Sequence, residues 1–151
     1  ANWDGGLKAN PPIFHLLHFC APSDIMVVLL HPFRRPKLPT STEDIGQRLT
    51  EISFSSTFFT ELGGLALAKR RASDDPTAAG ELVDRLKNLH MHVIDANELM
   101  SHLSISSKLN TKASFINALH EAGREQAASW LSEHFEDIGQ RSSFNLDQFL
   151  P

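Results

Sequence analysis

The stretch Asp24-Ile25-Met26-Val27-Val28-Leu29-Leu30, closed by His31-Pro32, constrains this chain more than any other. Six apolar residues follow one another from Ile25 to Leu30, so the alternation of a half-wet strand is missing. A run of that kind suits a strand buried on both faces of a parallel sheet, although its pattern is shared by a buried helical turn. A second strand is predicted over residues 89–96, Leu-His-Met-His-Val-Ile-Asp-Ala, which alternates around Val93-Ile94.

Helical patterns fill most of the remainder. Pro36 and Pro39 hold the chain extended, and Thr40 with Glu43 three residues on forms a capping-box signature, so a helix is predicted to start near Ser41. Ile45, Leu49, Ile52, Phe58, Phe59, Leu62 and Leu65 recur at three- and four-residue steps, which predicts one buried face and a helix running to about Arg71. Gly63-Gly64 marks a bend, a break or a close helix contact in its last third. Residues 71–81 read as a linker in which Asp75 caps a short helix with Pro76 at its first position, ending near Asn88. From Asn97 onward the pattern is helical again, with Trp130, Leu131, Phe135 and Ile138 expected in one buried stripe. The hexapeptide Glu-Asp-Ile-Gly-Gln-Arg occurs at 43–48 and at 136–141, once at a helix start and once at a helix end, and reads as coincidence. The order strand, helices, strand, helices is that of an α/β layer with parallel pairing, yet two short strands make only an incomplete sheet.

Composition narrows the chemistry. At 151 residues the chain is one domain by size and long enough to bury a core. A net charge of −4 gives no general attraction to phosphate backbones or anionic lipid, so nucleic acid is not expected as a partner. One cysteine, Cys20, excludes an internal disulfide and fits a reducing compartment. No apolar run approaches the ~18 to 20 residues of a membrane span. Ala1-Asn2-Trp3, without an initiator Met, leads straight into a turn and reads as a chain entered partway. Compartment stays open, with a cytoplasmic or membrane-peripheral place expected.

Among candidate sites, His15/His18 and His90/His92 each point two imidazoles one way, but neither pair has a third ligand at a recognised spacing, so no metal and no cofactor is expected. Arg34-Arg35 and Lys69-Arg70-Arg71 read as solvated ends, the latter favourable at a helix C-terminus. No Gly-x-Ser-x-Gly elbow, Walker loop or dinucleotide fingerprint occurs. Cys20 and the serines 53, 55 and 56 lie in or near predicted core elements, which leaves no nucleophile with a paired base. Asp4 followed by Gly5 and Gly6 is either a simple turn or a carboxylate set on a sterically open backbone.

Several stretches taken in order are more specific: WDGGLKANPPIF, HPFRRPKLPTSTEDIGQRLTEISFSS and SSKLNTKASFINALHEAGREQAASWLSEHFEDIGQRSSFNL. Across nearly all of the chain they resemble the C-terminal half of bacterial patatin-like phospholipases. The resemblance implies the helix-rich C-terminal portion of a three-layer α/β/α sandwich over residues 1–151, and lipid acyl hydrolysis by a Ser-Asp dyad without a histidine. It places the catalytic carboxylate on Asp4, with Gly5 and Gly6 as the motif's backbone. The glycine-rich oxyanion loop and the nucleophile elbow of that family lie upstream of the motif and are absent from these residues. A carboxylate acting alone must reach the serine hydroxyl directly, within ~2.6 to 3.2 Å, and following glycines permit close approach and positive φ.

The implied partners are a lipid or ester substrate in a complete protein and the missing N-terminal half, or self-association in its place. The alternative is a non-enzymatic interaction module whose amphipathic helices, from Ser41 and from Asn110, present a partner surface.

Overall fold

A computed structural model describes residues 5–7, 10–30, 38–96, 100, 103, 107 and 109–150. The architecture is mixed α/β and rich in helix. Its regular elements are α1 (Ile13–Phe19), β1 (Asp24–Leu29), α2 (Thr42–Asp74), α3 (Glu81–Asn88), β2 (His90–Asp95) and α4 (Ala113–His134). β1 and β2 form a two-stranded parallel sheet. Its register is set by His90 N donating to Ser23 O at 2.8 Å and Ala96 N to Leu29 O at 3.2 Å. No helix among the described residues is long and apolar enough to cross a membrane.

The chain divides into two compact units, one of Ala1–Val27, Phe54–His92 and Glu136–Pro151, the other of Val28–Ser53 and Val93–Phe135. The first holds nearly all of the described apolar core. Phe58, Leu62 and Leu65 of α2 are at most 1% exposed, as are Ile13, Leu89 and Met91. Burying each large side chain contributes roughly 1.5–3 kcal/mol. In the second unit Trp130 is the one buried large apolar side chain among the described residues.

Within the first unit, α2 supplies charges to the ends of its neighbours. Pro12 cannot cap α1 with a side chain, and the Glu61 carboxylate does so instead, accepting from Ile13 N at 2.7 Å and Phe14 N at 3.2 Å. Two turns on, Lys69 Nζ donates to the carbonyls of Leu86, Lys87 and Leu89 at 2.8–2.9 Å, where α3 ends. Arg85 closes the other end of α1 through His18 O at 2.8 Å. Each charge has the sign that the helix dipole favours and satisfies groups a helix terminus leaves bare.

Several sequence expectations need correction. β1 alternates after all: Ile25 and Val27 are buried, whereas Met26 is 42% and Val28 63% exposed, so the strand is covered on one face and not on both. Residue types without alternation cannot reveal which face lacks a neighbour. The cap of α2 is Ser41, whose Oγ accepts from Asp44 N at 3.1 Å, one residue after the predicted Thr40. Apart from the buried carboxylate residue Glu51, burial on α2 begins only near Phe58. Ile45, Leu49 and Ile52 stand 46%, 60% and 49% exposed.

α2 runs unbroken through Gly63-Gly64, and of the three readings the close helix contact is the one that holds. The two glycines make room for neighbours: a Cβ on Gly64 would lie 3.4 Å from the Phe14 ring, and one on Gly63 3.6 Å from Phe149 O. Asp75 caps no helix but closes an Asx turn, accepting from Thr77 N at 2.8 Å, and α3 starts after Gly80. In the tail only Trp130 of the expected stripe is buried. Leu131, beside Trp130 and so about 100° round α4 from it, is 40% exposed, and Phe135 and Ile138 are 63% and 38% exposed, α4 ending at His134 before a 3-10 turn over Phe135–Asp137.

Candidate functional site

Asp4 lies outside the described residues. Gly5 and Gly6 belong to a 3-10 turn, Gly5–Leu7. Gly5 is exposed, has no left-handed φ, and a Cβ there would meet nothing within 4 Å. The positive φ and close approach expected of a glycine after the carboxylate are therefore not features of Gly5 here. A 3-10 turn is right-handed and asks neither of them.

A different cluster sits where the two strands meet the C-terminal segment, wholly inside the first unit. Asp24, the first residue of β1, directs Oδ1 at His92 Nε2, 3.0 Å away, and at the backbone N of Gly139, 2.8 Å away. Its Oδ2 accepts from Ser23 Oγ at 2.8 Å. His90 Nδ1, buried and without a hydrogen bond among the described residues, is 3.5 Å from Oδ1. On the far side of the fully buried His92 ring, Nδ1 is 2.9 Å from Ser143 Oγ.

The sequence brings these groups together for local reasons. His90 and His92, two apart on β2, emerge on one side of the sheet, as period-two geometry requires. Gly139 adopts φ +77, which a glycine tolerates, and the turn it makes carries its N–H to Asp24. The C-terminal segment then follows β2: Met91 N donates to Ser142 Oγ and Phe144 N to Met91 O, both at 3.0 Å. Those bonds place Ser143 beside His92.

Burial pushes the Asp24 carboxyl up. The Gly139 N–H, His92, Ser23 and the nearby charge of His90 outweigh it and bring the pKa to about 2. Asp24 is thus an acceptor at neutral pH, the hydrogen of a neutral His92 belongs on Nε2, and the Nδ1 lone pair faces the Ser143 hydroxyl. Ser143 also lines a groove of about 740 Å³, between Lys69, Arg70, Ser73 and Asp74 of α2 and the segment 142–147. Burial lowers the pKa of Lys69 on that wall, and its ammonium faces three carbonyls.

Sequence reasoning missed this pairing. Residues 24, 92 and 143 lie far apart, and Ser143 carries no local motif. The serines that sequence places near the core are elsewhere: Ser53 and Ser56 are exposed on α2, Ser55 is half-buried, and Cys20 is an exposed free thiol. His15 and His18 pack against Phe19 on α1. Among the described residues no three His, Cys, Asp or Glu side chains are arranged to hold a metal ion.

Compared with known proteins, the chain has no significant match to a family model, a curated protein or a solved structure.

Proposed function

We propose that residues 1–151 are the C-terminal portion of a patatin-like serine acyl hydrolase, in which Asp4 is the base of a Ser-Asp dyad acting on a lipid or ester. The observation that carries this reading is the ordered resemblance, which opens on Asp4-Gly5-Gly6 and continues through three stretches to Leu146. A helix-rich α/β arrangement with a parallel strand pair is compatible with it. So is the exposed apolar side of β1, Met26 and Val28, which a larger sheet and its helices would cover.

In this reading the nucleophile and the oxyanion donors come from sequence outside these residues. A carboxylate alone does not open an ester efficiently at neutral pH. The 151-residue chain is therefore expected to show no multiple turnover of short p-nitrophenyl esters above a protein-free blank. A polypeptide joining it to a Gly-x-Ser-x-Gly segment is expected to turn them over and to release fatty acid from phospholipid vesicles. Failure of the joined polypeptide to do either, while folded, would contradict the proposal.

One observation favours a second reading. Ile45, Leu49 and Ile52 form an exposed apolar stripe on the first half of α2, as the partner surface of a non-enzymatic module would. Such a module predicts no ester turnover in any context.

A further inference from the structure

The geometry points to Ser143 as a histidine-activated nucleophile, with His92 as its base and Asp24 as the residue that positions the imidazole. The inference stands on the cluster itself and is independent of Asp4. Three features support it together. Ser143 Oγ and His92 Nδ1 are 2.9 Å apart, within the reach a base needs. The other ring nitrogen is held at 3.0 Å by a carboxylate that is itself fixed by the Gly139 N–H and Ser23 Oγ, so the ring has one orientation and one neutral tautomer. Ser143 is half-buried at the wall of the groove, whereas His92 is sealed from solvent behind it. An electrophile in the groove meets the hydroxyl first.

The class of ligand follows from what surrounds the serine. Of the two cations on that wall, Lys69 commits its ammonium to three carbonyls of the α3 terminus and Arg70 pairs with Asp74 at 3.7 Å. The reaction is therefore expected with electrophiles that already carry a good leaving group, and to stop after one equivalent. With a fluorophosphonate, the Ser143 oxygen forms a bond to phosphorus, the phosphorus–fluorine bond breaks and fluoride leaves. The hydroxyl proton passes to His92 Nδ1 while Nε2–H stays hydrogen-bonded to Asp24, and Nδ1 then hands that proton to the departing fluoride, which leaves through the groove as hydrogen fluoride. With p-nitrophenyl acetate the same attack at carbon releases one p-nitrophenolate and leaves an acetylated serine.

The test is to incubate the folded 151-residue chain with a fluorophosphonate and map the modified peptide by mass spectrometry. One label on Ser143 is expected, at least tenfold above Ser142 and Ser73, which border the same groove without an imidazole partner and serve as internal references. His92→Gln should reduce the labelling at least tenfold in a chain that still melts cooperatively. Equal labelling of Ser142 and Ser143, no label on Ser143 in the folded chain, or a label indifferent to His92→Gln would each overturn the inference and make the cluster a structural tie. The comparison among serines within the unmodified protein decides the matter even if the His92 variant does not fold.

Discussion

Asp24 Oδ1 and His92 Nε2 lie 3.0 Å apart and join the first residue of β1 to the buried middle of β2. Because the carboxyl titrates at about 2 in the fold against 3.8 as its ordinary value, its contribution to stability is complete above the ordinary value and is lost as pH falls toward 2. The shift corresponds to at most about 2.5 kcal/mol. Urea melts between pH 5 and pH 2 should show this loss in the wild-type chain and a flatter profile in Asp24→Asn. Equal acid sensitivity in both would assign it to other carboxylates.

Lys69 serves the terminus of α3 through three hydrogen bonds from one ammonium. Lys69→Met keeps the apolar stem and removes all three donors, so a loss of roughly 1.5–3 kcal/mol is expected, as for hydrogen bonds to a charged group. Denaturant titration checks the size. Hydrogen exchange should show the loosening concentrated at residues 86–89. A change below about 0.5 kcal/mol would mean that water serves those carbonyls equally well.

The glycines divide by conformation. Gly63→Ala and Gly64→Ala sit in a continuous helix, with the nearest atoms 3.6 and 3.4 Å from the new Cβ, and each should raise stability by up to about 1 kcal/mol. Gly64→Leu should instead lower it by displacing Phe14. Gly139→Ala at φ +77 should cost about 1 kcal/mol and weaken the hold on Asp24. Thermal melts of the four variants test the division.

Trp130 is 9% exposed and touches the His134 ring at a centroid distance of 5.2 Å, whereas Phe135 is 63% exposed. Trp130→Ala should cost about 3 kcal/mol or more, and Phe135→Ala less than about 0.5. Equilibrium unfolding of the two variants compares them directly, and equal effects would contradict the burial difference.

Elements were legible where local pattern suffices. Val93-Ile94 within an alternating run reads as β2, and a short helix ending near Asn88 reads as α3, whose existence and end were legible although its start, at Glu81 and not at Pro76, was not. Coverage was not legible: Val28 and Ile45 are apolar by type yet exposed, since burial depends on what else packs there. The repeated hexapeptide makes the same point. Gly46 lies in the first turns of α2, whereas Gly139 takes a left-handed φ after a 3-10 turn, so identical residues adopt different backbones in different contexts. The cluster of Asp24, His92 and Ser143 was hidden for a related reason, as its members meet only through strand pairing and the return of the C-terminal segment. Asp4 rests on resemblance, not on local geometry.

The measurement that bears most directly on the proposed function is kcat for Asp4→Asn in a polypeptide joining these residues to a Gly-x-Ser-x-Gly segment. Asparagine preserves shape and volume, removes the base and suits a glycine turn about as well as aspartate. Hydrolysis of a p-nitrophenyl ester is predicted to fall by about 100-fold or more with an unchanged melting curve. Wild-type kcat in a normally melting variant would contradict the assignment of Asp4 as catalytic base, and with it the acyl-hydrolase reading.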